Sequence, residues 1–454
     1  MSKIKHYVLK NYFLIHDLDQ NTVDISYGIR SSGKIKVVNH SDSFFSEQST
    51  KLNKNAIVWD NWLDQEIPFL FTKDKSKEII SIEDDGSVII NYDIIGSAFF
   101  FLSGWQELEK GKVDQHGRFP YESSLQKELG IIELPVVNYY YSILSKAICM
   151  AYGLNNVPQK FEKKNFVTFI SHDIDVCQSG WIQDAFHQVK SKKVISATKI
   201  IGQRPFKKDH WFNFDRILEF EKKRNISSTF FFIPRRGSVK NVTEANADYK
   251  INSSKIKAVF DKIKHYKSEV GLHGSLGSGL DEQHMADDIS RFPQKIIGNR
   301  YHFLMYEIDL IPSILDNCTL SYDNSVYFAE HIGFRHSTCT PFYLYNFSTE
   351  EPTKVIEIPL TIMDGTLDHN KYMGGTVESE LEACKNTINE VAKFNGILSI
   401  LWHNNYYSDY KYGKWESVLS QILDYVESLK TTYMSGKQLL NHINEPNNHE
   451  SSNT

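Results

Sequence analysis

The 454-residue sequence predicts an α/β protein: a distorted (β/α) barrel preceded by a smaller α+β domain. Three observations lead there. Short apolar runs alternate with amphipathic segments over about 280 residues, as parallel strands joined by helices do. Polar residues, chiefly His and Asp, close several of those runs. No Gly-rich phosphate fingerprint follows the first run, which favours a barrel over a dinucleotide-binding sheet.

Taken in order, residues 79–82 and 87–91 read as strands, and a Phe99-rich run leads into a polar helix. A loop holding Gly117 and an amphipathic helix over 135–151 follow. Gly153, Asn155, Asn156 and Pro158 then break the pattern within 152–164. The boundary belongs there, giving an α+β domain over 1–157, a barrel over 158–443 and a disordered Asn/Ser/Glu-rich tail over 444–454. The barrel opens with a strand at 166–170. Helix 213–224 leads to strand 228–233, stopped by Pro234, and helix 254–266 to strand 269–272. Helix 282–292 precedes strand 296–298, helix 306–317 strand 320–322, and helix 377–394 strand 397–402. The last long helix spans 413–429.

With 51 Lys+Arg against 56 Asp+Glu, the net charge of −5 supplies no field for a polyphosphate backbone, so nucleic acid is not an expected partner. The basic clusters at 190–193 and 207–208 are too short to reverse that. No run approaches the roughly 18 to 20 apolar residues that cross a bilayer; the densest, 94–105, is interrupted by Gly96, Ser97, Ser103 and Gly104. The N-terminus carries Lys3, Lys5 and Lys10 without an apolar signal core, so a cytoplasmic location is expected. Cys149, Cys177, Cys318, Cys339 and Cys384 are odd in number and widely spread, which predicts free, mostly buried thiols.

The chemistry collects at strand ends. The first barrel strand runs into Ser171-His172-Asp173-Ile174-Asp175, and 269–272 into His273-Gly274-Ser275. Strand 296–298 runs into Arg300-Tyr301-His302, and 397–402 into His403-Asn404-Asn405. Parallel strands of a barrel end on one face, so these sets converge. Two acids and three imidazoles at one mouth suit a divalent metal with a general base and a general acid. Each has a plainer reading: Asp173 and Asp175 as helix caps, His273 and His403 as turn residues, Arg300 as a salt-bridge partner, His302 as structural. His172, beside the acids, supports rather than ligates. Tyr322-Asp323-Asn324 and Arg335 also fall at strand ends, where they line the pocket, orient His403, or form loop salt bridges. The joint occurrence favours a site.

In order and spacing, Asp173 with Asp175, Glu269-Val270-Gly271-Leu272-His273, Arg300 and Leu401-Trp402-His403 resemble the NodB-type polysaccharide deacetylases, carbohydrate esterase family 4. His-Asp-x-Asp, Gly333-Phe334-Arg335 and Trp402-His403-Asn404-Asn405 are similar to a divergent branch of it. That branch carries an N-terminal domain of unknown function, which Ser97-Ala98-Phe99-Phe100-Phe101-Leu102-Ser103 and Gly117-Arg118-Phe119-Pro120 resemble. The resemblance implies a metal-dependent deacetylase hydrolysing the N-acetyl amide of an amino sugar in a glycan or glycan precursor. It implies Asp173 as base, His403 as acid, Arg300 as the group orienting the base, and Asp175 and His273 as ligands of a divalent ion, expected to be Zn²⁺. The family's second metal histidine falls four residues after the first, where this chain has Gly277; His302 is the candidate replacement. An extra residue between the acids leaves open an exchange of roles between Asp173 and Asp175. Two other readings stand: a catalytically inactive carbohydrate-binding protein on the same barrel, and a hydrolase of another amide.

Overall fold

Segments apolar on both faces become the strands of one large sheet. The computed structural model describes residues 3–28, 33–109, 113–239, 245–370 and 372–445. The N-terminal third holds β1 (Ile25–Tyr27), β2 (Ile35–Val37), β3 (Ile57–Trp62), β4 (Gln65–Leu70), β5 (Ile80–Ile82) and β6 (Val88–Ile90). β3 and β4 form a hairpin, and the other four a sheet in the order β1-β2-β6-β5. The Phe99-rich run is itself a wholly buried helix, Ile94–Leu102, rather than the approach to a polar one. Asp93 starts it by accepting from the Gly96 backbone N–H at 2.7 Å.

The large sheet contains β7 (Val167–Ile174), β8 (Thr229–Phe232), β9 (Glu269–Gly274), β10 (Gly298–Tyr301) and β11 (Tyr322–Asp323). It continues with β12 (Phe342–Asn346), β13 (Glu351–Glu357), β14 (Ile362–Met363), β15 (Ile397–Leu401) and β16 (Thr432–Tyr433). Its order is β12-β13-β11-β10-β9-β8-β7-β15-β14, with β16 paired to β7, and every pair is parallel except β12–β13. β7 and β8 are buried throughout, as parallel strands covered on both faces are.

The sheet is a curled half-barrel; among the described residues it does not close into the expected barrel. A barrel needs an unbroken ring of strand pairing. Here one edge is an antiparallel hairpin and the other a two-residue strand. A non-strand segment, 333–339, bridges that region to the N-terminal third. Gly333 N–H donates to the Thr361 carbonyl at 3.0 Å and Ile397 N–H to the Cys339 carbonyl at 2.8 Å. Phe334 N–H donates to the Ile132 carbonyl and Val137 N–H to the Ser337 carbonyl, at 2.8 and 2.9 Å. One apolar cluster runs from Tyr7, Phe99 and Tyr139 through to Phe169, Phe231 and Tyr322.

Other boundaries move for identifiable reasons. β7 runs past residue 170 because Ser171 to Ile174 pair with Thr229 to Phe232, so Asp173 lies inside a strand. β10 lies beyond the expected 296–298, where Arg300 pairs with His273. The helix expected over 306–317 starts only at Ile311, with Pro312 in its first turn. Helices Gly180–Lys190 and Val194–Gln203, the β12–β13 hairpin and β14 are not among the elements expected from the sequence. Helix Gly436–Asn444, opened by a Ser435–Gln438 capping box, includes the first residue of the expected tail; 446–454 lie outside the described residues. All five cysteines are free thiols, with Cys177, Cys339 and Cys384 buried.

Arg335 does not orient His403. Its guanidinium donates through Nε to Glu107 at 2.9 Å and through Nη2 at 2.5 Å, and both side chains are at most 2% exposed. Burial pushes the Glu107 carboxyl up, but Arg335 and His336 outweigh it and bring it down to about 2. An unfolded glutamate titrates near 4.5, so this stabilisation is complete above that pH and fades as pH falls toward 2. We predict that Glu107→Ala lowers stability at neutral pH by about 3 to 5 kcal/mol. It should also remove part of the acid-dependent loss seen in urea denaturation. Unchanged urea midpoints at neutral pH would show that this pair does not tie the two regions together.

Candidate active site

β10, β9, β8, β7 and β15 lie side by side and parallel, so their C-terminal ends open on one pocket. Its volume is about 680 Å³, and Asp173, Asp175, His273, His302 and His403 all line it. Arg300, the sixth residue expected there, lies beneath them with no solvent exposure.

Two imidazoles are held in one tautomer by backbone carbonyls. His273 Nδ1 donates to the Arg300 carbonyl at 2.8 Å, and His302 Nε2 to the Ala245 carbonyl at 3.1 Å. A carbonyl only accepts, so each ring turns a lone pair toward the pocket. His273 Nε2 and His302 Nδ1 stand 3.2 Å apart. Asp175 Oδ1 is 3.2 Å from the first and 3.5 Å from the second, and it is buried with no hydrogen-bond partner. With both rings neutral, three acceptors at such distances repel one another, and a proton on His273 or a metal ion among them relieves this. A tetrahedral ion with bonds of about 2.0 to 2.2 Å separates its ligands by about 3.3 to 3.6 Å, close to the edges of this triangle. The donor set therefore fits a divalent ion.

Burial opposes ionisation of Asp175, yet His302, His273 and His403 hold its carboxyl well below the usual range. Burial brings His302 down to about 4, against the pull of Asp175. His273 is also disfavoured as a cation by burial, but Asp173 and Asp175 leave it raised overall.

Beside the triangle lie two further charged pairs. Arg300 Nη1 donates to Asp173 Oδ1 at 2.8 Å, Nη2 to Ser171 Oγ at 2.8 Å, and Nε to the Asn324 carbonyl at 3.0 Å. It also donates to the Asn324 side-chain oxygen, so Asn324 positions Arg300 rather than His403. Asp173 Oδ2, the oxygen not bonded to Arg300, is 3.5 Å from His273 Nε2. His403 Nδ1 donates to Asp364 Oδ1 at 2.7 Å, and its backbone N–H to Oδ2 at 2.5 Å. Its Nε2 is 3.7 Å from Asp175 Oδ2. Burial works against the imidazolium, but Asp364, with Asp175 and Asp173 adding, raises His403 to about 10.

Asp364 escaped the sequence reading. Its only signal is its place after β14, a strand of two residues. His172 alternates to the other face of β7, where its nitrogens meet the Trp402 carbonyl at 2.7 Å and Glu221 at 2.8 Å. A Cβ at Gly277 would meet His284, and the backbone there has φ +91°, which an L side chain rarely adopts. His302, from the end of the next strand, is the third member of the triangle.

The N-terminal third contributes Gln115, His116 and Arg118 to the pocket wall. Arg118 Nη1 donates to the Phe303 carbonyl at 2.7 Å, and His116 stacks on Phe303 with centroids 5.0 Å apart. Tyr372, Tyr406 and Tyr412 also line the pocket, the last two stacked at 4.2 Å.

Residues 5–153 match the model of a family of unknown function, DUF7033. The chain matches no curated protein. Among solved structures, it is similar to a protein of Mycobacterium smegmatis described as a polysaccharide deacetylase, at 14% identity and a TM-score of 0.40, covering 62% of this chain and 90% of that one. It is similar to the allantoinase PuuE at 13% identity and a TM-score of 0.42, over 65% and 97% of the two chains. For the polysaccharide deacetylase Bc1974 of Bacillus cereus the values are 11% and 0.27, over 60% and 93%. These likenesses are weak, and the functional reading rests on the site's own geometry.

In metal-free protein, Asp364→Asn should lower the pKa of His403 by about one unit or more, because a neutral amide no longer favours the imidazolium. A histidine NMR titration of parent and variant measures this. An unmoved His403 resonance would assign its charge to Asp175 and Asp173 instead.

Proposed function

We propose that the chain is a metal-dependent deacetylase resembling the polysaccharide deacetylases, hydrolysing the N-acetyl amide of an amino sugar in a glycan or glycan precursor. The observation that carries this reading is the convergence of two tautomer-locked imidazole lone pairs on an unpartnered carboxylate oxygen. Asp175, His273 and His302 hold the ion, and their nitrogen and oxygen donors suit Zn²⁺. Asp175 is the ligand rather than Asp173 because it stands within 3.5 Å of both imidazoles. When bound, the ion polarises the amide carbonyl and acidifies water.

The chain's other groups manage the protons. Arg300 occupies Asp173 Oδ1, which leaves Oδ2 to take the proton of the attacking water. His403 is a cation held by Asp364, and its Nε2 carries the proton delivered to the departing amine nitrogen. The two groups differ in protonation because one leans on a guanidinium and the other on a carboxylate. Tyr372, Tyr406 and Tyr412 offer faces on which a sugar ring packs. An inactive sugar-binding module was suggested by Gly277; His302 replaces the donor missing there, which favours the hydrolase.

Calorimetric titration of metal-free protein should show one Zn²⁺ site, weakened by about tenfold or more in His302→Ala and in Asp175→Asn. Asp173→Asn should retain the ion yet release acetate from N-acetylglucosamine oligomers about 10²- to 10⁴-fold more slowly. A parent that binds no divalent ion, or that frees no acetate from a panel of N-acetyl sugars, would overturn the reading.

A further inference from the structure

The helical hairpin after β7, Gly180–Lys190 and Val194–Gln203, takes no part in the site chemistry, and its outer face is apolar. Ile182, Phe186 and Val189 recur at helical spacing on its first helix, all exposed. Val194, Ile195 and Ile201 stand out from the second, and Phe206 lies just past its end. Ile195 is 86% exposed and Phe206 89%. These seven are half of the fourteen large apolar side chains exposed among the described residues, gathered within 182–206. Exposed apolar residues scattered singly are ordinary; a cluster of this kind marks an interaction surface.

The same segment is strongly basic. Lys190, Lys192, Lys193, Lys199, Arg204, Lys207 and Lys208 face one acid within 180–208, in a chain whose net charge is −5. That acid, Asp184, is buried and lies 3.1 Å from His210. Lys208 pairs with Asp215, while Lys190 lies over the Phe186 ring and Arg204 over Trp181. The basic clusters, too short to hold a nucleic acid, here border an apolar face.

This pairing selects the occupant. A second copy seated symmetrically would bring the same cations against one another. An anionic bilayer supplies both complements at once: acyl chains for Ile195 and Phe206, phosphates for the lysines. We propose that residues 180–208 form a peripheral anchor that seats on a lipid surface rich in anionic phospholipid. No described helix is long and apolar enough to cross a membrane, so the contact is interfacial. Phe186 and His210 share a surface cleft with Lys411, which also lines the active-site pocket. Seating the hairpin therefore brings the pocket mouth beside the headgroups. This anchoring does not depend on the metal chemistry.

The test is flotation of the full chain with phosphatidylcholine vesicles, with and without about one-third phosphatidylglycerol. The parent should float with the anionic vesicles, less so at high salt, and not with the neutral ones. The Ile195→Glu/Phe206→Glu and Lys192→Glu/Lys193→Glu variants should each reduce flotation about tenfold or more. Thermal melts by circular dichroism and Zn²⁺ titration should match the parent, separating this result from the fate of the site. The proposal falls if the parent ignores anionic vesicles, floats equally with neutral ones, or if both variants float as it does. It falls also if light scattering shows a dimeric parent that Ile195→Glu/Phe206→Glu converts to monomer, since the patch then belongs to a second copy.

Discussion

A guanidinium with no contact with water lies under the pocket, and the arrangement above depends on how Arg300 is satisfied there. A buried cation is tolerated only when paired and hydrogen-bonded. Asp173 supplies the opposite charge, Ser171 and Asn324 the remaining acceptors, and the Phe231 ring lies 4.7 Å below. The planar fork of arginine reaches all of these from one strand; the compact ammonium of a lysine would not. The same residue's carbonyl sets the tautomer of His273. One position in β10 thereby decides which oxygen of Asp173 is free and which nitrogen of His273 has a lone pair.

Around that anchor the sheet converts separation in sequence into adjacency in space. Asp173, His273 and Arg300 belong to strands of one parallel ladder, and Arg300 pairs in register with His273. Donors from neighbouring strand ends can therefore meet at one point although the chain holds them apart. His302, at the end of the neighbouring β10, stands with His273 and Asp175 in this way. His403 answers to a different constraint. Asp364 accepts from both its ring and its backbone and so sets its orientation, and the same carboxylate leads Asp175 and Asp173 in favouring the imidazolium.

The N-terminal third is more than a neighbour of this sheet. It supplies one wall of the pocket, and segment 333–339 hydrogen-bonds to it on one side and to the sheet on the other. The buried Glu107–Arg335 pair fixes that seam at the cost of two desolvated charges, which only close contact offsets. Exposed faces show the opposite balance. The hairpin over 180–203 leaves large apolar groups in water although the chain has a continuous core into which others of their kind are packed.

Much of the site was legible in the sequence because strand-end polar residues are local signals: Asp173, Asp175, His273, Arg300, His302 and His403 all follow short apolar runs. The alternation of strands and helices was legible for the same reason, since apolar period reports the faces a segment buries. Asp364 was not, because two residues of strand carry no period, and the β12–β13 hairpin hid for want of a turn signature. Arg335 and Asn324 were visible as polar residues near strand ends, but not their partners, Glu107 and Arg300. By itself the sequence determined that these polar residues lie toward the C-terminal ends of strands and hence that their side chains are available to one face. Tertiary structure alone decided that the sheet stays open, that His302 rather than position 277 completes the triangle, and which carboxylate meets arginine and which meets the imidazoles. Those choices turn on distances of a few ångströms between strands, and the order of residues along a chain holds no such distances.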